Sequence, residues 1–160
     1  MADFMHGDSK DCTQVRKDIR LSLEVAKRDL DSGWASVLVA GGQVLDRETG
    51  SGIRPALLIL QRMGRAMANH SDLVFGDKVL GLAAFRLGAL MGAQAMWGGL
   101  VSQRALAEAA ARGIPVYGRE FVPSILNRTG DGLCPMEQLA VSCESDRQFY
   151  SELLKKLQGD

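Results

Sequence analysis

Apolar residues recur every three to four positions between residues 13 and 30, with charged residues between them. This spacing predicts an amphipathic helix, which stops at Ser32-Gly33. Residues 35–40 are almost all apolar and predict a buried strand. Gly41-Gly42 then predicts a tight hairpin turn into a second, antiparallel strand at 43–46. The first ordered elements are therefore expected to be a helix and a β-hairpin.

The second part of the chain alternates between predicted helices and strands. A short extended segment is expected at 73–75, and Asp77 is predicted as the N-cap of a long apolar helix ending near Met91. Strands are predicted at 93–97 and 114–117. The other helices are predicted over residues 54–67, 102–111, 121–126, 135–142 and 146–157. A hairpin followed by strand–helix–strand units is typical of an α/β domain with one mixed sheet between layers of helices.

Length and composition change this picture little. The 160 residues, 46% apolar and 24% charged, are typical of one globular domain, which we expect over residues 12–160 after a disordered segment at 1–11. Nineteen basic and nineteen acidic residues cancel. No broad positive field therefore favours nucleic acid as a partner, whereas a small anion in a local pocket stays compatible with the charge balance.

The cysteines and the longest apolar stretch indicate the cellular location of the protein. Cys12, Cys134 and Cys143 have no paired spacing, which favours a reducing cytoplasm over a disulfide framework. The apolar stretch at residues 79–97 is interrupted by Arg86 and Gln94, so no membrane span is expected.

A lone cysteine stands where a helix is expected to begin. Cys134 follows a polar loop at residues 127–133, and Pro135 and Glu137 suit the first and third positions of a helix. Helix N-termini expose unpaired N–H groups and favour anions, including a thiolate. Two interpretations stay open. Either the segment is a plain helix start capped by Glu137, or Cys134 is a reactive thiol assisted by Arg128.

Other polar residues are candidates for a binding site. Arg54 precedes a proline at a predicted helix start, where phosphate or carboxylate can bind, although a surface arginine is the simpler interpretation. Asn127 either forms a turn or joins Arg128 in holding an anion. Asp77 and Lys78 are either an N-cap with a solvated lysine or a pair at a cleft. The two tryptophans are interpreted as packing residues.

Several motifs, in this order, resemble one family of bacterial and archaeal domains of unknown function. They are Gly52-Ile53-Arg54-Pro55, Asp77-Lys78-Val79-Leu80-Gly81 with Ala83-Ala84, Ser102, and Asn127-Arg128 followed by Cys134-Pro135-Met136-Glu137. The resemblance covers roughly residues 23–141. It implies a cytidine-deaminase-like fold, a three-layer α-β-α sandwich around a mixed sheet of about five strands, where the residue pattern alone predicts four. It also implies that a homodimer is plausible.

The zinc motifs of deaminases are missing. Such enzymes need a His or Cys ligand followed two residues later by glutamate at one helix start, and Pro-Cys-x-x-Cys at the next. Here the first position reads Asp77-Lys78-Val79, and the next helix opens at Ser102 without a thiol. His6 and His70 have no ligand spacing. We therefore expect no metal and no other cofactor.

Three functional hypotheses remain. The first is a binding protein for a nucleotide-like or other anionic small molecule, the ligand class that the resemblance implies. The second is an enzyme that uses Cys134 or Asp77 as nucleophile, and the third is an unorthodox metal-dependent deaminase or hydrolase. The ligand-binding candidates are Lys78, Arg54, Ser102, Asn127, Arg128 and Glu137.

Overall fold

The structure of the protein, a computed structural model, describes residues 12–64 and 70–158. The predicted disordered segment at 1–11 and the end of the helix predicted over 54–67 lie outside the described residues. The helices are α1 (Cys12–Asp31), α2 (Arg54–Met63), α3 (Leu82–Met91), α4 (Gln103–Arg112), α5 (Pro135–Ser142) and α6 (Asp146–Gln158). The strands are β1 (Ser36–Ala40), β2 (Gln43–Glu48), β3 (Leu73–Leu80), β4 (Ala95–Ser102) and β5 (Val116–Val122).

The five strands form one mixed sheet in the order β2-β1-β3-β4-β5. β1 pairs with β2 and β3 in antiparallel register, and β3, β4 and β5 run parallel. Helices α3 and α4 connect the parallel strands. The predicted fold class, a three-layer α/β/α sandwich around five strands, is confirmed.

The two faces of the sheet are covered unequally. Helices α2 to α6 pack on one face around the fully buried Phe75, Phe85 and Phe149. Among the described residues the other face carries only α1, which packs against β1, β3 and β4. One helix does not cover five strands, so Tyr117 on β5 stays 49% exposed.

The hairpin forms as its sequence predicts. Gly41 and Gly42 have φ angles of +56° and +76°, the left-handed region that glycine adopts without strain. The backbone N–H of Gly42 donates a 2.9 Å hydrogen bond to the hydroxyl of Ser22 on α1. This contact ties the turn to the helix that covers the sheet.

The prediction that Asp77 caps a helix is wrong. Asp77 lies inside β3, and α3 begins at Leu82 after Gly81. Residues 73–77 are all buried, because β3 is the central strand and has helices on both faces. A strand of this kind is a continuous apolar run without alternation, and periodicity does not distinguish it from a buried helix.

The helix predicted over 121–126 is also wrong, because β5 continues to Val122 and the chain then turns at Pro123. Both β4 and β5 extend past the predicted ends. The glycines that resemble strand breaks serve close packing, since a Cβ on Gly98 or Gly118 would lie 2.6 or 2.5 Å from Cγ2 of Val101. None of the described helices is long and apolar enough to cross a bilayer.

Candidate functional site

The N-terminus of α3 is occupied by a carboxylate from α5. Glu137 is only 3% exposed, and its Oε1 and Oε2 accept hydrogen bonds from the backbone N–H groups of Leu82 and Ala83, each at 2.8 Å. A Cβ on Gly81 would lie 2.4 Å from Oε1, so this approach requires glycine. The positions at which a helix start would hold an anion are thus filled by the protein's own side chain.

Asp77 is buried three residues before the strand ends. Its Oδ2 accepts the hydroxyl proton of Ser36 on β1 at 2.7 Å, and its Oδ1 accepts the N–H of Val79 at 2.9 Å. Burial raises the pKa of Asp77 from 3.8 to about 7, although both hydrogen bonds favour the carboxylate and oppose the shift. A buried carboxyl that titrates near neutrality is a candidate for proton transfer.

Cys134 precedes α5 and lines a small cavity. Its backbone N–H donates to the carbonyl of Ile125 at 3.0 Å, and its side chain is half-buried and caps no backbone group. The cavity has a volume of about 60 Å³, below the range of roughly 300–1,000 Å³ common for ligand pockets. It therefore holds a few water-sized groups rather than a nucleotide. Its other lining residues include Ile53, Val79, Gly81, Met136 and Glu137.

Ser102 and Asn127 form hydrogen bonds within the fold. Ser102 is the N-cap of α4, 1% exposed, and its Oγ accepts the N–H of Ala105 at 3.1 Å. Oδ1 of Asn127 accepts the N–H groups of Gly130 and Asp131 at 2.8 and 3.2 Å. Both side chains thus have a structural role, and their predicted ligand role stays a prediction.

The three cations predicted for the site do not line the cavity. Lys78 is exposed on β3, Arg54 is exposed at the start of α2, and Arg128 is exposed at the tip of the loop that ends at Cys134. No ion pair joins them to a carboxylate among the described residues. The structure therefore brings Cys134 and Glu137 together and leaves these cations in solvent.

The carboxylates at the end of β3 do not form a metal site. Within residues 12–64 and 70–158, no three His, Cys, Asp or Glu side chains come together in an arrangement able to hold a metal ion. Both oxygens of Glu137 are already bonded to α3, and both oxygens of Asp77 have hydrogen-bond donors. His6 lies outside the described residues.

A larger concavity lies on the other face of the sheet, between α1 and the ends of β4 and β5. This α1 groove has a volume of about 500 Å³. Its apolar lining is Ile19, Leu23, Trp97, Pro115 and Tyr117. It exists because α1 packs mainly on β1, β3 and β4 and contacts β5 at its end, where Asp31 forms an ion pair with Arg119.

The charges that line the α1 groove are unbalanced. Arg16, Arg20 and Lys27 face a single carboxylate, Glu24, and none of the three cations has an ion-pair partner among the described residues. Among the described residues, other arginines do have carboxylate partners: Arg47 with Asp29, Arg62 with Asp46 and Glu48, Arg112 with Asp146, and Arg119 with Asp31. Arg54, Arg104, Arg128 and Arg147 are exposed without an ion pair to the described residues, but they do not line this groove. A protein without net charge thus has a local excess of positive charge here.

The sequence contains only a weak signal for this groove. Arg16, Arg20 and Lys27 lie at helical spacing on one side of α1, which is also the pattern of a solvated helix face. Trp97, interpreted from the sequence as a packing residue, does pack beneath α1, and Nζ of Lys27 lies 5.5 Å from its ring centroid. Only the register of the sheet places Tyr117 beside Trp97.

Comparison with known proteins identifies the class to which this architecture belongs. The sequence profile of a family described as TM1506, a domain of unknown function (DUF1893), matches residues 25–157. The chain therefore belongs to the DUF1893 family, and the predicted membership of a family of unknown function is confirmed.

One similar solved structure is the crystal structure of a DUF1893 family protein (TM1506) from Thermotoga maritima. The two chains are 20% identical over 92% of each, with a TM-score of 0.69. At this identity the similarity shows the fold alone. No curated protein matches the chain.

Proposed function

We propose that this protein binds an anionic small molecule in the α1 groove, and that it does so without the zinc chemistry of deaminases. The observation that carries the proposal is the set of three cations, Arg16, Arg20 and Lys27, that line a concavity of about 500 Å³ and have no ion-pair partner among the described residues. Cations that converge on an apolar cleft bind anions more strongly than isolated surface cations, because the cleft focuses their field. The proposed setting is the cytoplasm, since Cys12, Cys134 and Cys143 are all free thiols.

The alternative place for an anion is the end of β3, and its geometry supports binding less well. The α3 N-terminus there is already capped by Glu137, whose carboxylate lines the cavity. A further anion would meet negative charge in a cavity of about 60 Å³. A nucleotide is the first candidate ligand by analogy with deaminase-like folds, whereas the charges by themselves argue only for an anion.

Two triple variants with equal loss of charge distinguish the two places. The first replaces Arg16, Arg20 and Lys27 by glutamine, and the second replaces Arg54, Lys78 and Arg128, the cations predicted from the sequence. Titration calorimetry with inorganic phosphate and with nucleoside monophosphates measures binding to the wild type and to both variants. We expect the groove variant to lose at least tenfold in affinity, since each charge-assisted contact is worth about 1.5–3 kcal/mol.

The matched variant at Arg54, Lys78 and Arg128 is expected to retain affinity within about twofold, because surface cations far from a ligand contribute only screened, long-range attraction. Loss of affinity in this variant alone would contradict the groove and favour the end of β3. Native mass spectrometry of protein purified from cells reports a bound anion, and its subunit number tests the homodimer.

A second candidate function is an enzyme with Cys134 as nucleophile. The observation in its favour is that the Cys134 thiol is half-buried, has no capping role and lines a cavity beside Glu137. Exposure alone predicts that an alkylating agent labels the exposed Cys12 first, Cys134 more slowly and the buried Cys143 last.

Mass spectrometry of alkylated peptides near neutral pH tests this candidate. If the Cys134 thiol is activated, the order of labelling changes and Cys134 reacts before Cys12. If Cys12 reacts first, the nucleophile hypothesis for Cys134 is wrong. Cys134→Ser serves as the control that assigns the labelled peptide.

A further inference from the structure

The floor of the α1 groove consists of two aromatic side chains next to each other. Trp97 on β4 and Tyr117 on β5 are register partners in the parallel part of the sheet, so their backbones are one strand spacing, about 4.8 Å, apart. Tyr117 is 49% exposed and Trp97 is half-buried. Aromatic side chains that line a groove are groups on which a planar ring can stack.

Trp97 and Tyr117 are accessible because α1 covers this part of the sheet incompletely. The other described helices lie on the opposite face of the sheet, and α1 packs mainly on β1, β3 and β4. Ile19 and Leu23 form the facing wall of the groove. A ring between this wall and the aromatic floor would be held on both faces by apolar groups.

The cations lie toward two different parts of the groove. Lys27 is at the Trp97 ring, with Nζ 5.5 Å from the centroid. Arg20 and Arg16 precede it by two and three turns of α1, roughly 10 and 16 Å along the helix axis. On this spacing, a ring-binding part at Trp97 would lie apart from an anion-binding part toward the start of α1, where the two guanidinium groups are suited to bidentate contact with phosphate.

We infer that the ligand of the α1 groove is a planar aromatic anion of the nucleoside monophosphate class, with its base on Trp97 and Tyr117 and its phosphate at Arg16 and Arg20. This inference rests on the proposed function, since it specifies the ligand of the same groove. The volume of about 500 Å³ lies within the range of roughly 300–1,000 Å³ typical of small-molecule sites. Isolated phosphate would use only one part of the groove.

Titration calorimetry with compounds that share a phosphate tests the inference. The probes are inorganic phosphate, ribose 5-phosphate, the four nucleoside monophosphates of adenine, guanine, cytosine and uracil, and a short single-stranded oligonucleotide. Stacking on aromatic side chains is expected to make at least one nucleotide roughly tenfold or more tighter than ribose 5-phosphate. Tyr117→Ser should remove most of that gain and leave ribose 5-phosphate affinity unchanged. Because Tyr117 is exposed, this variant should fold, which circular dichroism verifies.

The possible results separate the ring-binding inference from the anion site of the proposed function. If nucleotides and ribose 5-phosphate bind equally, the ring-binding part is wrong and the anion site of the proposed function survives. If no phosphate compound binds, the proposed function fails together with the inference. If a short single-stranded oligonucleotide binds more tightly than every mononucleotide, the ligand is nucleic acid and the inference is overturned. A base-dependent gain that Tyr117→Ser abolishes supports the inference.

Discussion

The buried carboxyl of Asp77 makes the stability of this protein depend on pH in a defined direction. Its pKa is raised by burial from 3.8 to about 7 in the folded state, so folding favours the protonated form. This contribution to stability is fully present below about pH 4 and is lost as the pH rises through the folded pKa near 7. Asp77→Asn removes the titration and keeps the shape of the side chain.

The asparagine reproduces the hydrogen bonds of the protonated acid. Its carbonyl oxygen accepts the N–H of Val79, and its amide group donates to the hydroxyl oxygen of Ser36, the two partners that Asp77 has now. At 1.36 kcal/mol for each pKa unit, the difference between 3.8 and about 7 corresponds to at most about 4 kcal/mol. Linkage then requires the stability of Asp77→Asn relative to wild type to increase by about 3 kcal/mol between about pH 4.5 and pH 8.

Urea unfolding at several pH values over this range measures the effect. The comparison of variant and wild type cancels the titration of all other groups, and Glu120→Gln, on the exposed strand β5, provides a carboxylate control without burial. A stability difference between Asp77→Asn and wild type that stays constant with pH would refute the reasoning. It would mean that Asp77 ionises in the folded protein as easily as in the unfolded chain.

Three further predictions concern the helix starts at the ends of β3 and β4, each measured by urea unfolding at neutral pH. Glu137→Ala should lose about 3–5 kcal/mol, since two buried N–H groups of α3 lose their acceptor; a loss below about 1 kcal/mol would contradict this role. Gly81→Ala should cost about 1–3 kcal/mol because its Cβ meets the Glu137 carboxylate at 2.4 Å, whereas Gly132→Ala, whose Cβ meets nothing nearer than 3.4 Å, is the tolerated control. Ser102→Ala should cost about 1 kcal/mol through loss of the α4 cap, and an unchanged midpoint would show that water replaces it.

Local signals in the sequence determined much of the architecture. The 3.6-residue period predicted α1 within one residue at each end, and Gly41-Gly42 predicted the hairpin, whose glycines have positive φ angles. Ser102 and Pro135 correctly predicted where α4 and α5 begin. These features depend on interactions between residues close in the chain, which is why sequence pattern alone identifies them.

Tertiary contacts decided the elements that the pattern predicted wrongly. Asp77 lies on a strand because helices cover both faces of β3, and its side chain is satisfied by Ser36, which precedes it by more than forty residues. Glu137 was expected to cap its own helix, but its carboxylate caps α3 instead. No local rule relates these partners, because their spacing is set by the packing of α5 against α3.

The features of the candidate site also separate into those that the sequence determined and those that tertiary contacts decided. The sequence determined that Cys134 stands at a helix start, since this depends on which residues occupy a short motif. Only the tertiary structure decided that the α1 groove exists, because its cations come from one helix and its aromatic floor from two strands that follow 70 or more residues later. A binding surface assembled from separate elements depends on sheet order and on how far one helix extends across it, and neither quantity is encoded in any single segment.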